Sequence, residues 1–95
     1  MKVLISPGFG AGWSTWNEPE LATDKRVIKA FESGMTYEEM EEYLKELGYK
    51  DVYMGGYGQC EIKEVPKGTY FRIDEYDGSE AIEILNEYNT LYAKE

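Results

Sequence analysis

The spacing of apolar residues changes near Asp51, and this change constrains the possible fold more than any other feature of the sequence. Before it, Thr36 and Glu39 have the spacing of a capping box, and an i, i+3, i+4, i+7 stripe follows: Tyr37, Met40, Tyr43, Leu44 and Leu47. After it, apolar and polar residues nearly alternate, which is typical of strands. A helical region followed by a strand region predicts an α+β fold.

Shorter patterns complete the predicted elements. The aliphatic run at 2–5 predicts a buried strand, and the stretch 19–33 predicts a first helix that ends before Gly34. Further strands are expected at 52–54, 60–65, 70–76 and 80–85. Asp77-Gly78 favours a tight hairpin turn between the last two, because a type I′ turn needs positive φ at both central residues. The pattern of residues 80–93 also fits a helix, so the end of the chain stays open between the two.

The length of 95 residues corresponds to one small domain, and no repeat or linker interrupts the sequence. We therefore expect residues 1–95 to form a single α+β domain. Its predicted architecture is a small, mostly antiparallel sheet of four to five strands with two helices on one face.

The composition excludes several classes of function. The chain has no histidine and one cysteine, so histidine-based catalysis and multi-cysteine zinc sites are impossible. A net charge of −9 disfavours direct binding to nucleic acid. The remaining carboxylates cluster on the second helix and around the hairpin, where they are usually solvated. We expect no catalytic residue, no metal and no cofactor.

The first residues predict a location. The apolar run before Ser6-Pro7 is too short for a signal peptide, and no segment has the length of a membrane helix. A lone Cys60 fits a reducing compartment. We expect a cytoplasmic protein that does not bind membranes, with Cys60 as a buried structural thiol.

A glycine- and tryptophan-rich loop, residues 7–17, is the strongest candidate site. Three glycines after a strand expose backbone N–H groups that can bind phosphate oxygens, although the spacing matches no phosphate-binding motif. Its tryptophans either fill the core or form a stacking wall for a planar ligand or a partner. The predicted ligand-binding residues of the loop are Gly8, Phe9, Gly10, Gly12, Trp13, Ser14, Thr15 and Trp16.

A second glycine-aromatic loop, residues 55–59, follows the strand expected at 52–54. If that strand lies beside the strand at 2–5, both loops lie at one sheet edge, where ligands commonly bind. Tyr57 then completes the aromatic wall and is the ninth predicted ligand-binding residue. The alternative is an ordinary loop with an exposed tyrosine.

Two segments, MKVLISPGFGAGWSTWN and FRIDEYDGSEAIE, resemble small proteins encoded by bacterial phages and prophages. The resemblance covers both ends of the chain. It implies a phage accessory protein of the anti-defence type that acts in the host bacterial cytoplasm. It assigns no catalytic residue.

The sequence thus favours a non-catalytic binding protein that sequesters a small nucleotide-type ligand through the loop at 7–17. A chain this short rarely encloses a ligand alone, so we expect such a site at an interface between copies in a homo-oligomer. The alternative is an acidic inhibitor whose carboxylates mimic phosphates and block a host defence protein. Sequestration requires a locally basic or amide-rich pocket, whereas mimicry requires a continuous acidic face.

Overall fold

Two helices and two separate two-stranded sheets form the regular elements of residues 1–85, the part of the chain that the structure, a computed structural model, describes. In chain order they are β1 (Lys2–Ile5), α1 (Lys25–Glu32), α2 (Tyr37–Glu46), β2 (Glu61–Glu64), β3 (Tyr70–Tyr76) and β4 (Ser79–Leu85). Short 3-10 turns lie at Ser14–Trp16, Pro19–Ala22 and Tyr57–Gln59. The α+β class is therefore confirmed.

The prediction of one sheet of four to five strands is wrong. β1 pairs antiparallel with β2, and β3 pairs antiparallel with β4, in two different sheets. The strand expected at 52–54 does not form. Asp51 adopts a positive φ of 55°. The side chain of Asn17 accepts a hydrogen bond from the Tyr53 amide and donates one to the Tyr53 carbonyl, so neither backbone group is available to pair with a neighbouring strand.

The hairpin between β3 and β4 is confirmed. Asp77 and Gly78 have φ angles of 49° and 84°, as a type I′ turn requires. A Cβ atom on Gly78 would lie 2.3 Å from the amide nitrogen of Ala11. Only glycine allows the hairpin tip to pack this closely on the loop at 7–17.

The second predicted helix is confirmed as α2, with both hydrogen bonds of its capping box present. The first, expected at 19–33, is divided at Thr23, because Asp24 caps a new helix. The Asp24 carboxylate accepts from the Arg26 amide and guanidinium, and the Tyr49 hydroxyl also donates to it. These bonds, that to Arg26 above all, hold the pKa of Asp24 well below its usual range.

The core consists of two clusters of buried residues. The larger lies between the helices and the loop at 7–17, and Trp13, Leu21, Met40, Leu44 and Met54 belong to it. The smaller joins β1 to the inner face of the hairpin, where Phe71, Ile73 and Ile82 pack against Val3, Ile5 and Val65. Leu47, expected in the core, is only half-buried.

The ambiguity at the end of the chain is settled in part. Residues 80–85, which the sequence left open between strand and helix, belong to β4. The rest of that range, 86–93, lies outside the described residues. Within residues 1–85, no helix has the length and hydropathy needed to span a bilayer.

Candidate functional site

The Glu80 carboxylate lies at the centre of the loop at 7–17. It is 1% exposed and accepts the amides of Ser6, Trp13 and Thr15 at 2.8, 2.7 and 3.0 Å. The Thr15 hydroxyl donates to the same carboxylate. A buried carboxylate is expensive unless hydrogen bonds replace its hydration, and four donors do so here. Glu80 is therefore an internal anion that fixes the loop.

Hydrogen bonds within the protein occupy three backbone amides of the loop, among them one of the three glycine amides that the sequence offers to a phosphate. The amides of Trp13 and Thr15 are bound to Glu80, and the Gly10 amide donates to the Asp77 carbonyl at 2.7 Å. Within residues 1–85, every buried side-chain nitrogen and oxygen has a hydrogen-bond partner. The loop is a satisfied structural unit at these positions.

Trp13 and Tyr57 meet as expected, but inside the core. Trp13 is 0% exposed, its indole nitrogen donates to the Leu21 carbonyl at 3.1 Å, and its ring lies 5.8 Å from that of Tyr57. Tyr57 is also buried, and its hydroxyl donates to the Met35 carbonyl. Desolvation raises the pKa of this hydroxyl. Neither ring offers a free face to a ligand.

The other predicted residues divide between the interior and the surface. Gly12 and Ser14 are buried, Gly8 is half-buried, and Gly10 and Thr15 are exposed. A Cβ on Gly12 would lie 2.6 Å from the Thr15 hydroxyl and 2.8 Å from the Trp16 ring, so these two side chains leave no room for another. This glycine serves close packing.

Four exposed aromatic side chains remain on or beside the loop, and we call them the aromatic rim: Phe9, Trp16, Tyr53 and Tyr76. Phe9 is 69% exposed and Trp16 is 41% exposed. The rings of Trp16 and Tyr53 are stacked, with centroids 5.7 Å apart and planes at 28°. The rim is the part of the candidate site that is accessible.

Asn17 fixes one half of the rim. Its Oδ1 accepts from the Tyr53 amide at 2.8 Å, while its Nδ2 donates to the carbonyls of Tyr53 and Trp13 at 3.0 and 2.8 Å. One side chain thus ties the segment under Tyr53 to the end of the loop. The stacked pair is held in place by backbone contacts.

The hairpin tip fixes the other half. The Ser79 hydroxyl donates to the Pro7 carbonyl at 2.8 Å, next to the bond between Gly10 and Asp77 described above. Phe9 directly precedes Gly10, and Tyr76 directly precedes Asp77. Because Gly10 and Asp77 are hydrogen-bonded, Phe9 and Tyr76 lie at the same end of the molecule. The exposed acids Glu75 and Asp77 lie at this end as well.

No catalytic group is evident among the described residues. Burial, with a smaller effect of the Glu80 charge, raises the pKa of the Cys60 thiol to about 12, so the thiol stays protonated at neutral pH. Arg72 pairs with Asp74 and Glu83 across the exposed face of the hairpin. In residues 1–85, no group of three or more acidic or cysteine side chains could hold a metal ion.

Sequence reasoning missed the roles of Glu80, Asn17 and Tyr53. Glu80 was grouped with the solvated acids of the hairpin, although strand alternation places it on the same face as Ile82. This alternation is the sequence signal that could have predicted a buried Glu80. Asn17 ends the candidate loop, and nothing in the local pattern indicates its contact with Tyr53, 36 residues away.

No family model, curated protein or solved structure matches this chain. The resemblance to phage-encoded proteins therefore stays a prediction, and the function must be argued from the geometry.

Proposed function

We propose that this chain is a non-catalytic binding protein that docks on another protein through the aromatic rim. The observation that carries the proposal is the four-donor lock of Glu80 beneath the loop. It binds the amides of Trp13 and Thr15 inside the protein, while the rings of Phe9 and Trp16 stay exposed.

Rigid, exposed aromatic rings suit a protein interface. Tryptophan and tyrosine are enriched among the residues that dominate binding energy, because they bury a large area with little loss of conformational entropy. The Glu80 and Asn17 bonds fix the backbone that carries Trp16 before any partner arrives. Such preorganisation lowers the cost of association.

The charge of the surroundings indicates the chemistry of the partner. The exposed Glu75 and Asp77 flank Tyr76 in the chain, and the exposed Glu18 and Glu20 follow Trp16. Arginine and lysine side chains pair with carboxylates and also bind aromatic faces. A basic protein surface is therefore the complement of the rim, in agreement with the inhibitor alternative drawn from the sequence. A host defence protein in the bacterial cytoplasm remains our proposed target.

A nucleotide-type ligand at this loop is the weaker candidate. Its phosphate would need amides that are free, and those of Gly10, Trp13 and Thr15 already have acceptors. The outer face of Trp16 alone would stack a base without a phosphate site.

Quantitative affinity purification from a bacterial lysate tests the proposal. A protein captured by the natural chain should be lost with Phe9→Ala and Trp16→Ala and retained with Tyr70→Ala. Tyr70 is a matched control, since it is 80% exposed and lies at the opposite end of β3. Charge reversal at Asp77 should also weaken capture.

Two results would contradict the proposal. One is a partner retained by both rim variants, because binding would then use another surface. The other is native mass spectrometry showing a nucleotide that the natural chain retains and Trp16→Ala does not.

A further inference from the structure

A groove of about 710 Å³ lies on the side of the molecule formed by β1, α1 and the turn before β3, outside the aromatic rim. Its volume falls in the range of small-molecule sites, roughly 300–1,000 Å³. Four of the eight lysines of the chain line it: Lys2, Lys25, Lys29 and Lys67. In a protein of net charge −9, such a local concentration of cations is unexpected.

The lysines are only partly neutralised. Within the described part of the chain, Glu32 is the one acid of the lining, and its carboxylate pairs with the Lys2 ammonium at 2.5 Å. Among residues 1–85, Lys25, Lys29 and Lys67 have no carboxylate within 4 Å. Three ammonium groups therefore remain available to an external anion.

The floor of the groove is apolar. Lys25, Ile28 and Lys29 follow the i, i+3, i+4 spacing of one helix face, so α1 places the buried Ile28 beside two cations. Met1 contributes a further apolar side chain. Among residues 1–85, no aromatic ring lines the groove, so this part of the chain offers no stacking surface there for a nucleobase.

We infer that this groove binds a small, soluble amphipathic anion, with its phosphate or carboxylate group on Lys25 and Lys29 and its apolar body over Ile28. The lysine ammonium groups supply charge-assisted hydrogen bonds to the head group. The apolar floor supplies burial for the remainder. This site is independent of the protein-docking role proposed for the rim.

The test is a titration of the full chain with hexyl phosphate, followed by ¹H–¹⁵N NMR at the backbone amides of α1. Inorganic phosphate, hexanol and AMP serve as comparison probes. We expect saturable shifts centred on Ile28, with an affinity for hexyl phosphate at least about tenfold above that for any comparison probe.

A matched pair of variants isolates the lysines. Lys25→Gln combined with Lys29→Gln should weaken binding at least about tenfold. Lys45→Gln combined with Lys50→Gln removes the same charge outside the groove and should leave the affinity within about twofold.

Each other outcome overturns the inference. Equal losses in both double variants would show general electrostatics, and the absence of saturable shifts would show no site. Phosphate or AMP binding as tightly as hexyl phosphate would exclude a role for the apolar floor. Lysine-dependent sedimentation with phosphatidylglycerol vesicles, without binding of the soluble probe, would assign the groove to a membrane surface.

Discussion

The Glu80-locked loop and the lysine groove manage charge in opposite ways. At the loop, one buried carboxylate accepts four internal hydrogen bonds. At the groove, three exposed ammonium groups have no carboxylate partner among residues 1–85. A buried charge whose hydrogen bonds are all made within the protein stabilises the fold, whereas an exposed charge without a partner in the protein is available to a ligand. The predictions below test this contrast.

The largest effect is expected for Glu80→Ala. It leaves three amides without an acceptor, at roughly 1–3 kcal/mol each, so the free energy of unfolding should fall by about 5 kcal/mol. Glu80→Gln keeps one acceptor oxygen but loses the charge, and its loss should be about 2–3 kcal/mol. Chemical denaturation measures both. A loss below about 1 kcal/mol for Glu80→Ala would contradict the contrast between the loop and the groove, because the Glu80 carboxylate would then not stabilise the loop.

The two tryptophans should differ strongly. Trp13→Ala removes a fully buried ring and should cost about 3–5 kcal/mol. Trp16→Ala removes a partly exposed ring stacked on Tyr53 and should cost at most about 1.5 kcal/mol. If the two variants lost the same free energy of unfolding in thermal or chemical denaturation, the distinction between a buried Trp13 and an accessible Trp16 would be wrong.

Asp24 connects stability at the start of α1 to pH. Its pKa is lowered in the folded state, so the unfolded chain binds the proton more readily. The stabilisation is complete above the unfolded pKa of about 3.9 and is lost as the pH falls toward the lower folded value. Asp24→Asn keeps a capping side chain and should flatten this acid dependence. Denaturation at pH 3 and pH 6 compares the two chains, and an unchanged slope would contradict the role of the carboxylate.

The smallest effect is expected in the groove. Lys25→Gln combined with Lys29→Gln removes charges that make no ion pair among residues 1–85, so the free energy of unfolding should change by no more than about 0.5 kcal/mol. A loss above about 1.5 kcal/mol in urea denaturation would mean that these lysines stabilise the fold, which would remove the contrast with Glu80.

Local patterns predicted the parts of the fold whose determinants are local. The capping box of Thr36 and Glu39 spans four residues, and the turn at Asp77-Gly78 spans two, so each can be recognised in the sequence. The pairing of β1 with β2 and the bond from Ser6 to Glu80 join residues about 60 and 74 positions apart. No short-range pattern specifies such contacts. The choice of the loop at 7–17 as the candidate site therefore stays a prediction, and neither the buried Glu80 beneath it nor the contact of Trp16 with Tyr53 was predicted.

Amide hydrogen exchange at Thr15 tests the central claim most directly. The Thr15 side chain is exposed and its amide lies in the first turn of a short 3-10 segment, where no preceding turn offers an acceptor. Among residues 1–85, Glu80 is its one hydrogen-bond acceptor. The account predicts exchange as slow as that of core amides in the natural chain and, in Glu80→Ala, exchange much faster than that of the core amides of the same variant. Rapid exchange of Thr15 in the natural chain would show that the carboxylate does not lock the loop.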